Sequence, residues 1–178
     1  MRKFGIQLKE NEEVVNLKKI GNKVLVESNK GTYEAKTAIV ASGKRSRELN
    51  VPGEKEFKNK GLTYCATCDA PLFQGKVVAV IGGGNSAMDA TLQLIKIAKH
   101  IYLINIVPQL TGDPIMQEQV NQANIVTVLN NTSVTSVLGD KFVTGIKVKT
   151  KDREEILAVG GIFVEIGLMP NSEFAKEL

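Results

Sequence analysis

A glycine-rich turn constrains the fold of this 178-residue chain more than any other feature of its sequence. The turn is Gly82-Gly83-Gly84-Asn85-Ser86-Ala87. It follows Lys76–Ile81, which after its first residue is continuously apolar and rich in β-branched residues, as expected of a strand buried on both faces. After the turn, Asn85–Lys99 carries apolar residues at helical spacing. A buried strand, a tight turn and a helix in this order predict an α/β fold with a parallel sheet.

The next segments of the chain extend this pattern. We predict strands at Ile101–Val107 and Ile125–Leu129, separated by a helix at Asp113–Ala123 with Pro114 in its first turn. These elements complete a βαβαβ unit, which is half of a dinucleotide-binding sheet. An antiparallel meander and one more continuously apolar strand are predicted after it, at Thr132–Leu138, Phe142–Thr150, Glu154–Val159 and Gly161–Ile166.

The first 48 residues read as a separate β-rich segment. Alternating apolar residues around turn signals predict a second antiparallel meander, with strands at Val14–Leu17, Lys23–Glu27 and Gly31–Glu34. A short apolar strand is expected at Thr37–Ala41. The charged stretch Lys44–Lys60, with Pro52-Gly53 at its centre, is the predicted connector and domain boundary. The predicted divisions are residues 1–48, 49–172 and 173–178.

The glycine turn has the spacing of a phosphate-binding loop. In the pattern Gly82-x-Gly84-x-x-Ala87, the first glycine permits the tight turn and the second lets the backbone approach a pyrophosphate. The small Ala87 lets helix and strand pack closely, and amides at the helix start, around Asn85 and Ser86, meet the phosphates. Such turns can also serve only as connections, but the strand before this one and the helix after it favour nucleotide binding.

The end of the second strand of this unit should show which nucleotide is preferred. An acidic residue there usually holds the ribose hydroxyls, and a nearby arginine accommodates a 2′-phosphate. This chain has Asn105, which can hydrogen-bond a hydroxyl but adds no charge, and no arginine lies between Arg47 and Arg153. The sequence therefore predicts NADH rather than NADPH.

Cys65 and Cys68 are the only cysteines of the chain. A structural disulfide normally joins distant segments, whereas two intervening residues are typical of a redox-active pair. A structural zinc site needs four ligands, and His100 is the only histidine, so we predict no metal site. Asp69, directly after the second cysteine, either moves the proton that thiol chemistry requires or serves as a turn or helix-capping residue.

Composition excludes several other classes of function. The net charge is +4, but the basic residues are spread along the chain, which has three Tyr and no Trp, so nucleic-acid binding is not predicted. No apolar run approaches the roughly 20 residues of a membrane span, and no signal peptide opens the chain, which makes the cytoplasm the expected location.

Four motifs stand in a fixed order along the chain: Ala41-Ser42-Gly43, Cys65-Ala66-Thr67-Cys68-Asp69 with Pro71-Leu72-Phe73, Val80-Ile81-Gly82-Gly83-Gly84-Asn85-Ser86-Ala87, and Gly161-Ile162-Phe163-Val164-Glu165-Ile166-Gly167-Leu168-Met169-Pro170-Asn171. Taken together, they resemble those of the low-molecular-weight thioredoxin reductases and, still more closely, the reductase part of the alkyl hydroperoxide reductase F subunit. The similarity covers essentially the whole chain, and this order and spacing of motifs is highly specific.

The resemblance implies a flavin-dependent disulfide reductase. NAD(P)H would reduce a bound FAD, the flavin would reduce the Cys65–Cys68 disulfide, and the dithiol would pass electrons to thioredoxin, a glutaredoxin-like protein or a peroxiredoxin-system protein. By the same resemblance, Cys68 faces the flavin, Cys65 attacks the partner's disulfide, and Asp69 is the acid. Ile166 and Gly167 join the cofactor-binding residues. Homodimers are usual in the family, and members rotate one domain relative to the other about connectors that fall here near Lys44–Val51 and after Pro170.

Two departures from the family pattern shape these expectations. The basic motif with which thioredoxin reductases bind a 2′-phosphate falls here on residues without positive charge: Asn105, Ile106, Val107 and Thr111. The chain also has neither the glycine-rich FAD turn nor the Gly-Asp flavin segment of the family. We therefore expect a fragment, inactive alone, in which residues 1–48 are a remnant of an FAD domain, 49–172 the NAD(P)H domain, and 173–178 a return connector. A stand-alone module that senses NADH or redox state is the alternative.

Overall fold

The computed structural model describes residues 4–178; residues 1–3, with which the predicted first division begins, lie outside the described part. The chain divides into two compact units, one made of residues 4–45 and 169–178, the other of residues 46–168. The predicted fold class is confirmed: a five-stranded parallel sheet is combined with antiparallel sheets in a mixed α/β fold. The roles expected for the three predicted divisions stay predictions.

The first unit is built on an antiparallel meander, as predicted. Its strands are β1 (Val14–Ile20), β2 (Lys23–Ser28) and β3 (Thr32–Ala35), in the order β1-β2-β3. The strand predicted at residues 37–41 is wrong, since these residues form no strand and Ile39 is 95% exposed. An apolar run becomes a strand only where a neighbouring strand takes up its backbone hydrogen bonds, and within residues 4–178 no strand pairs with residues 37–41.

The predicted connector at residues 44–60 contains regular structure that the sequence did not indicate. It holds β4 (Lys44–Ser46) and a one-turn helix, α1 (Glu54–Phe57). The carboxylate of Glu54 is buried and accepts hydrogen bonds from the backbone N–H groups of Leu49 and Asn50, at 2.7 and 2.6 Å. The Glu54 carboxylate therefore holds the backbone at Leu49 and Asn50 against the start of α1.

The five-stranded sheet forms the centre of the second unit. Its order is β5-β12-β6-β7-β8, and all pairs are parallel. The strands are β5 (Leu62–Thr63), β6 (Val77–Ile81), β7 (His100–Ile104), β8 (Val126–Leu129) and β12 (Gly161–Val164). Helix α3 (Asn85–Ile95) connects β6 to β7, and α4 (Pro114–Gln122) connects β7 to β8. The predicted βαβαβ unit is confirmed.

Both faces of this sheet are covered, which explains the continuously apolar strands. On one face Val80, Leu103 and Phe163 pack with Leu94 of α3. The opposite face packs against the predicted second meander, β9 (Ser133–Gly139), β10 (Val143–Lys149) and β11 (Glu154–Ala158), with Ile146 among the contacts. Strands with this double burial cannot alternate with polar residues.

Helix α3 ends at Ile95, four residues before the predicted end. The carbonyl of Leu94 accepts hydrogen bonds from the N–H groups of both Ile97 and Ala98, and the N–H of Lys99 donates to Lys76 at 2.8 Å. The last residues predicted as helix therefore turn the chain and align it beside β6. Strands β7 and β12 likewise end before Val107 and Ile166, where the chain leaves the sheet.

The two ends of the second unit lie side by side. The N–H of Arg47 donates to the carbonyl of Gly167 at 3.0 Å. Strand β13 (Leu168–Pro170) pairs with β4. Among the described residues no helix has the length and apolar character needed to cross a bilayer.

Candidate active site

The two cysteines form a disulfide at the start of a short helix. Cys65 precedes α2 (Ala66–Asp69), and its sulfur accepts a hydrogen bond from the N–H of Cys68 at 3.3 Å. The Cα atoms of the pair are 5.3 Å apart. As residues, Cys65 is half-buried and Cys68 is exposed. A disulfide with one accessible sulfur can exchange with an external dithiol or disulfide.

Asp69 is held beside the disulfide by a chain of hydrogen bonds. The hydroxyl of Thr63 donates to the Asp69 carboxylate, and the Thr63 hydroxyl oxygen accepts a hydrogen bond from the N–H of Cys65 at 3.2 Å. Asp69 makes no side-chain cap to the 3₁₀ helix that follows it, Ala70–Phe73. The carboxylate is connected through Thr63 to the backbone of the reactive turn, and its role as the acid stays a prediction.

The first glycine of the predicted phosphate loop is required by the backbone. Gly82 has φ +137°, and a Cβ there would lie 2.3 Å from the carbonyl oxygen of Glu165, at the end of β12. Ala87 is completely buried against the same turn. Both observations fit the close strand-to-helix packing that the motif predicts.

The N-terminus of α3 is open. Gly84 caps the helix without a side-chain hydrogen bond, and a Cβ on it would meet nothing closer than the Thr111 hydroxyl oxygen, at 4.0 Å. Asn85 and Ser86 are exposed, and the Asn85 side chain accepts the N–H of Asp113 at 2.7 Å, which ties α3 to the start of α4. The N–H groups of the first helical turn, next to the clear side of Gly84, are those that can donate to phosphate oxygens.

Asn105 is placed differently from what a ribose ligand requires. It is 3% exposed, and its Nδ2 atom lies at hydrogen-bond distance from the carbonyls of Val107 and Gln109 (3.1 and 2.9 Å) and from Oδ1 of Asn130 (3.0 Å). Its side chain also packs against Gly83, where a Cβ would lie 2.4 Å from Oδ1. Asn105 thus holds the loop after β7, and its polar atoms are already used within the protein.

The Asn105→Asp variant is expected to lower the free energy of unfolding by about 2 kcal/mol, because a carboxylate would face two carbonyls in a buried site. The loss should increase as pH rises and the carboxyl ionises. Urea denaturation at two pH values measures both effects. Asp113→Asn, an exposed change at the other end of the same loop, is the comparison. Unchanged stability of the Asn105→Asp variant would contradict a structural role.

A cavity of about 220 Å³ connects the disulfide to the glycine-turn helix. Three of the predicted site residues line it: Cys65, Ser86 and Gly167. The lining does not include Cys68, Asp69 or Asn105, and Ile166 instead packs against the hydrophobic core.

Sequence reasoning missed the two carboxylates that line the cavity, Asp89 of α3 and Glu165. Glu165 had a signal in the sequence, since it is the one charged residue in the apolar run Gly161–Ile166. Asp89 had none, because charged residues are ordinary on a helix. Burial raises the pKa of Glu165, a hydrogen bond from the N–H of Ala66 offsets part of this, and the charge of Asp89 raises it further.

Tyr64, another residue of the cavity wall, is held in position by a hydrogen bond to α1. Its hydroxyl donates to the buried Glu54 carboxylate at 2.7 Å. Burial, followed by this carboxylate, raises the pKa of Tyr64 well above its usual range. The residue before the first cysteine is therefore neutral, and its position is tied to α1.

The family model described as pyridine nucleotide-disulphide oxidoreductase matches residues 2–178. An NADH dehydrogenase of Ferdinandcohnia aciditolerans is 42% identical over 162 residues, which are 88% of this chain and 31% of that protein. The F subunit of the alkyl hydroperoxide reductase of Xanthomonas campestris pv. phaseoli is 37% identical over 182 residues, 99% of this chain and 34% of the relative. The chain therefore spans about a third of the length of these relatives.

Solved structures show the same fold. The thioredoxin reductase of T. acidophilum superposes with a TM-score of 0.80 at 35% identity, covering 95% of this chain and 56% of that one. The Lactococcus lactis thioredoxin reductase, in a crystal structure described as the FR conformation, gives a TM-score of 0.81 at 27% identity, with coverage of 91% and 55%.

Proposed function

Because this chain belongs to the pyridine nucleotide-disulphide oxidoreductase family, we propose that it carries two parts of a flavin-dependent disulfide reductase of the thioredoxin reductase type. One part binds the nicotinamide nucleotide, and the other is the dithiol that reduces a protein disulfide. The observation that carries the proposal is the cavity in which Cys65 and Ser86, from the redox turn and the glycine-turn helix, meet. The chain covers a third of its relatives, so this activity is proposed for the whole protein.

The nucleotide would be held at the open N-terminus of α3. Gly82 and Ala87 shape the turn, Gly84 leaves room for the pyrophosphate, and the N–H groups around Asn85 and Ser86 would donate to its oxygens. Gly167 and Ile166, at the end of β12, would support the nicotinamide end, since Gly167 lines the cavity next to the disulfide.

NADH is the nucleotide that we propose. From His100 to Asp140 the sequence has no lysine or arginine, and the loop after Asn105 exposes Ile106 and Val107 instead. A 2′-phosphate would meet no cation there, and its desolvation would not be offset. Asn105 supports this preference indirectly, because its hydrogen bonds to Val107 and Gln109 hold the loop that carries the exposed Ile106 and Val107.

The dithiol would work with its two sulfurs in different roles. By the family resemblance, Cys68 is the one we propose to receive the electron pair, and Cys65 the one that attacks the partner's disulfide. Asp69 would exchange protons with the sulfurs. A bound FAD would carry the electron pair between nicotinamide and disulfide. The described residues of the first unit contain no strand, glycine turn and helix in succession, so this chain's own residues do not fit an FAD site, and no step is derived through it.

The names of the relatives support the choice of partners. We propose thioredoxin, a glutaredoxin-like protein or a peroxiredoxin-system protein as the acceptor, a homodimer as the state of the whole protein, and the cytoplasm as its location. The alternative, a module that senses NADH or redox state without turnover, is supported by the poor fit of the chain to FAD.

The test is anaerobic titration of the full-length protein with each nucleotide, followed by the flavin spectrum. NADH is expected to bleach the flavin with an apparent Kd about tenfold lower than that of NADPH, the equivalent of about 1.4 kcal/mol. Bleaching by neither nucleotide would rule out the nicotinamide role. Tight NADH binding to a protein that has no flavin spectrum would instead favour the sensing module.

A further inference from the structure

Glu165 places a second carboxyl group near the reactive turn, in a cavity that Asp69 does not line. It lines the same cavity as Cys65, and the N–H of Ala66, the residue after Cys65, hydrogen-bonds to it. Asp69 is absent from this cavity and is held by Thr63. Of the two cysteines, Cys65 therefore shares a cavity with Glu165, and Cys68 does not.

The cavity is large enough to carry a proton between carboxyl and sulfur. Its volume of about 220 Å³ compares with about 30 Å³ for a water molecule in the liquid, so several waters fit. Proton transfer through one intervening water is a common arrangement for a general acid or base. The polar wall contributed by Tyr64 and Ser86 supplies further hydrogen-bond partners for such waters.

The charges around Glu165 favour its protonated form. Asp89 faces it from α3, and the half-buried Cys65 and the neutral Tyr64 face it from the redox turn. No lysine, arginine or histidine lines this cavity in the described part of the chain. The pKa of Glu165 is raised by burial first, and Asp89 adds to the shift while the Ala66 N–H reduces it.

We propose that Glu165 is the proton-holding residue for Cys65, an inference that rests on the dithiol relay proposed above. When one sulfur of a small dithiol attacks Cys68 and forms a new S–S bond with it, the Cys65–Cys68 bond breaks and Cys65 leaves as a thiolate; the second sulfur of the dithiol then bonds to the first and releases Cys68. The Glu165 carboxyl gives its proton to the Cys65 sulfur and becomes a carboxylate. Its negative charge then raises the pKa of the Cys65 thiol and keeps it protonated.

The proton returns when the partner protein arrives. Cys65 forms a new S–S bond with one partner sulfur, the partner's own S–S bond breaks, and the proton of Cys65 goes back to the Glu165 carboxylate. The partner's released thiolate takes a proton from solvent. Glu165 therefore makes Cys65 unreactive between turnovers and available within them.

The test reads the thiol directly and needs neither flavin nor nicotinamide. Cys68→Ser leaves Cys65 as the only cysteine of the chain, so the pH dependence of its alkylation by iodoacetamide gives its ionisation. Adding Glu165→Gln removes the carboxylate and is expected to lower the pKa of the Cys65 thiol and raise the alkylation rate at pH 7 by about threefold or more. Glu165→Asp should keep the slower rate, which separates charge from folding.

Two control variants make the assignment specific. Glu118→Gln, an exposed carboxylate on α4, should leave the Cys65 profile unchanged. In the Cys65→Ser background, Glu165→Gln should shift the pH profile of Cys68 alkylation much less than it shifts the Cys65 profile in the Cys68→Ser background. An unchanged Cys65 profile in Glu165→Gln, equal effects on both cysteines, or a larger effect from Asp89→Asn would each overturn the proposal. A flavin that no nicotinamide bleaches would refute the proposed function and leave this result standing.

Discussion

The Cys65→Ser variant of the full-length protein is expected to lose NADH-dependent reduction of a thioredoxin or peroxiredoxin-system disulfide by a factor of about a thousand or more. A serine hydroxyl does not attack a disulfide at neutral pH, and without Cys65 no internal disulfide can form to accept electrons. The measurement is the rate of appearance of partner thiols under anaerobic conditions. Bleaching of the flavin by NADH should persist, because the nucleotide turn is untouched.

The matching variant, Cys68→Ser, separates the roles of the two sulfurs. If Cys65 is the attacking thiol, Cys68→Ser should accumulate a mixed disulfide with the partner, since the resolving thiol is gone. Cys65→Ser should accumulate none. Full partner reduction by Cys65→Ser would rule out the dithiol role. A mixed disulfide that accumulates in Cys65→Ser instead of Cys68→Ser would show that Cys68 is the attacking thiol.

The second large effect is expected from Gly82→Ala, which should lower the free energy of unfolding by about 4 kcal/mol. At φ +137° a side chain is strained by about 1–3 kcal/mol. The new methyl group would also lie 2.3 Å from the carbonyl oxygen of Glu165, and overpacking of this kind costs a further amount of about 1–3 kcal/mol. Urea denaturation measures the change, and NADH affinity should fall because the phosphate loop is displaced.

Gly75→Ala provides the control for backbone conformation alone. Gly75 also has positive φ, +72°, but a Cβ there meets nothing within 4 Å. The expected loss is about 1–2 kcal/mol, with no change in NADH affinity. Equal losses in the two variants would show that close packing of the Gly82 turn against the end of β12 does not contribute.

The parallel sheet could be predicted because both its faces are buried. In β6, β7 and β12 nearly every position has an apolar side chain, so the strands stand out as continuous runs, and the glycine turn after β6 indicates that a helix comes next. The same argument failed at residues 37–41. Apolar character showed that this segment could be a strand, but pairing depends on a neighbour, which the local sequence does not reveal.

The candidate site was predictable where a motif has a fixed local geometry. The turn from Gly82 to Ala87 and the helix start at Cys65 follow from residue types at short spacing. Asn105 and Glu165 were not predictable in this way. The position of Asn105 suggested a ribose contact, whereas its side chain folds back onto the carbonyls of Val107 and Gln109 in its own loop and onto the side chain of Asn130. The neighbours of Glu165, Ala66 and Asp89, come from other elements.

The hydrogen bond between Arg47 and Gly167 gives the second unit adjoining ends. A segment whose ends meet can be exchanged between host chains as a cassette, since its removal leaves only a short gap to close. The same geometry suits circular permutation of the second unit. A linker of a few residues would join its two ends near Arg47 and Gly167, and new termini could be made at the exposed turn of Asp140. The redox turn and the phosphate loop would then travel together as one transplantable piece.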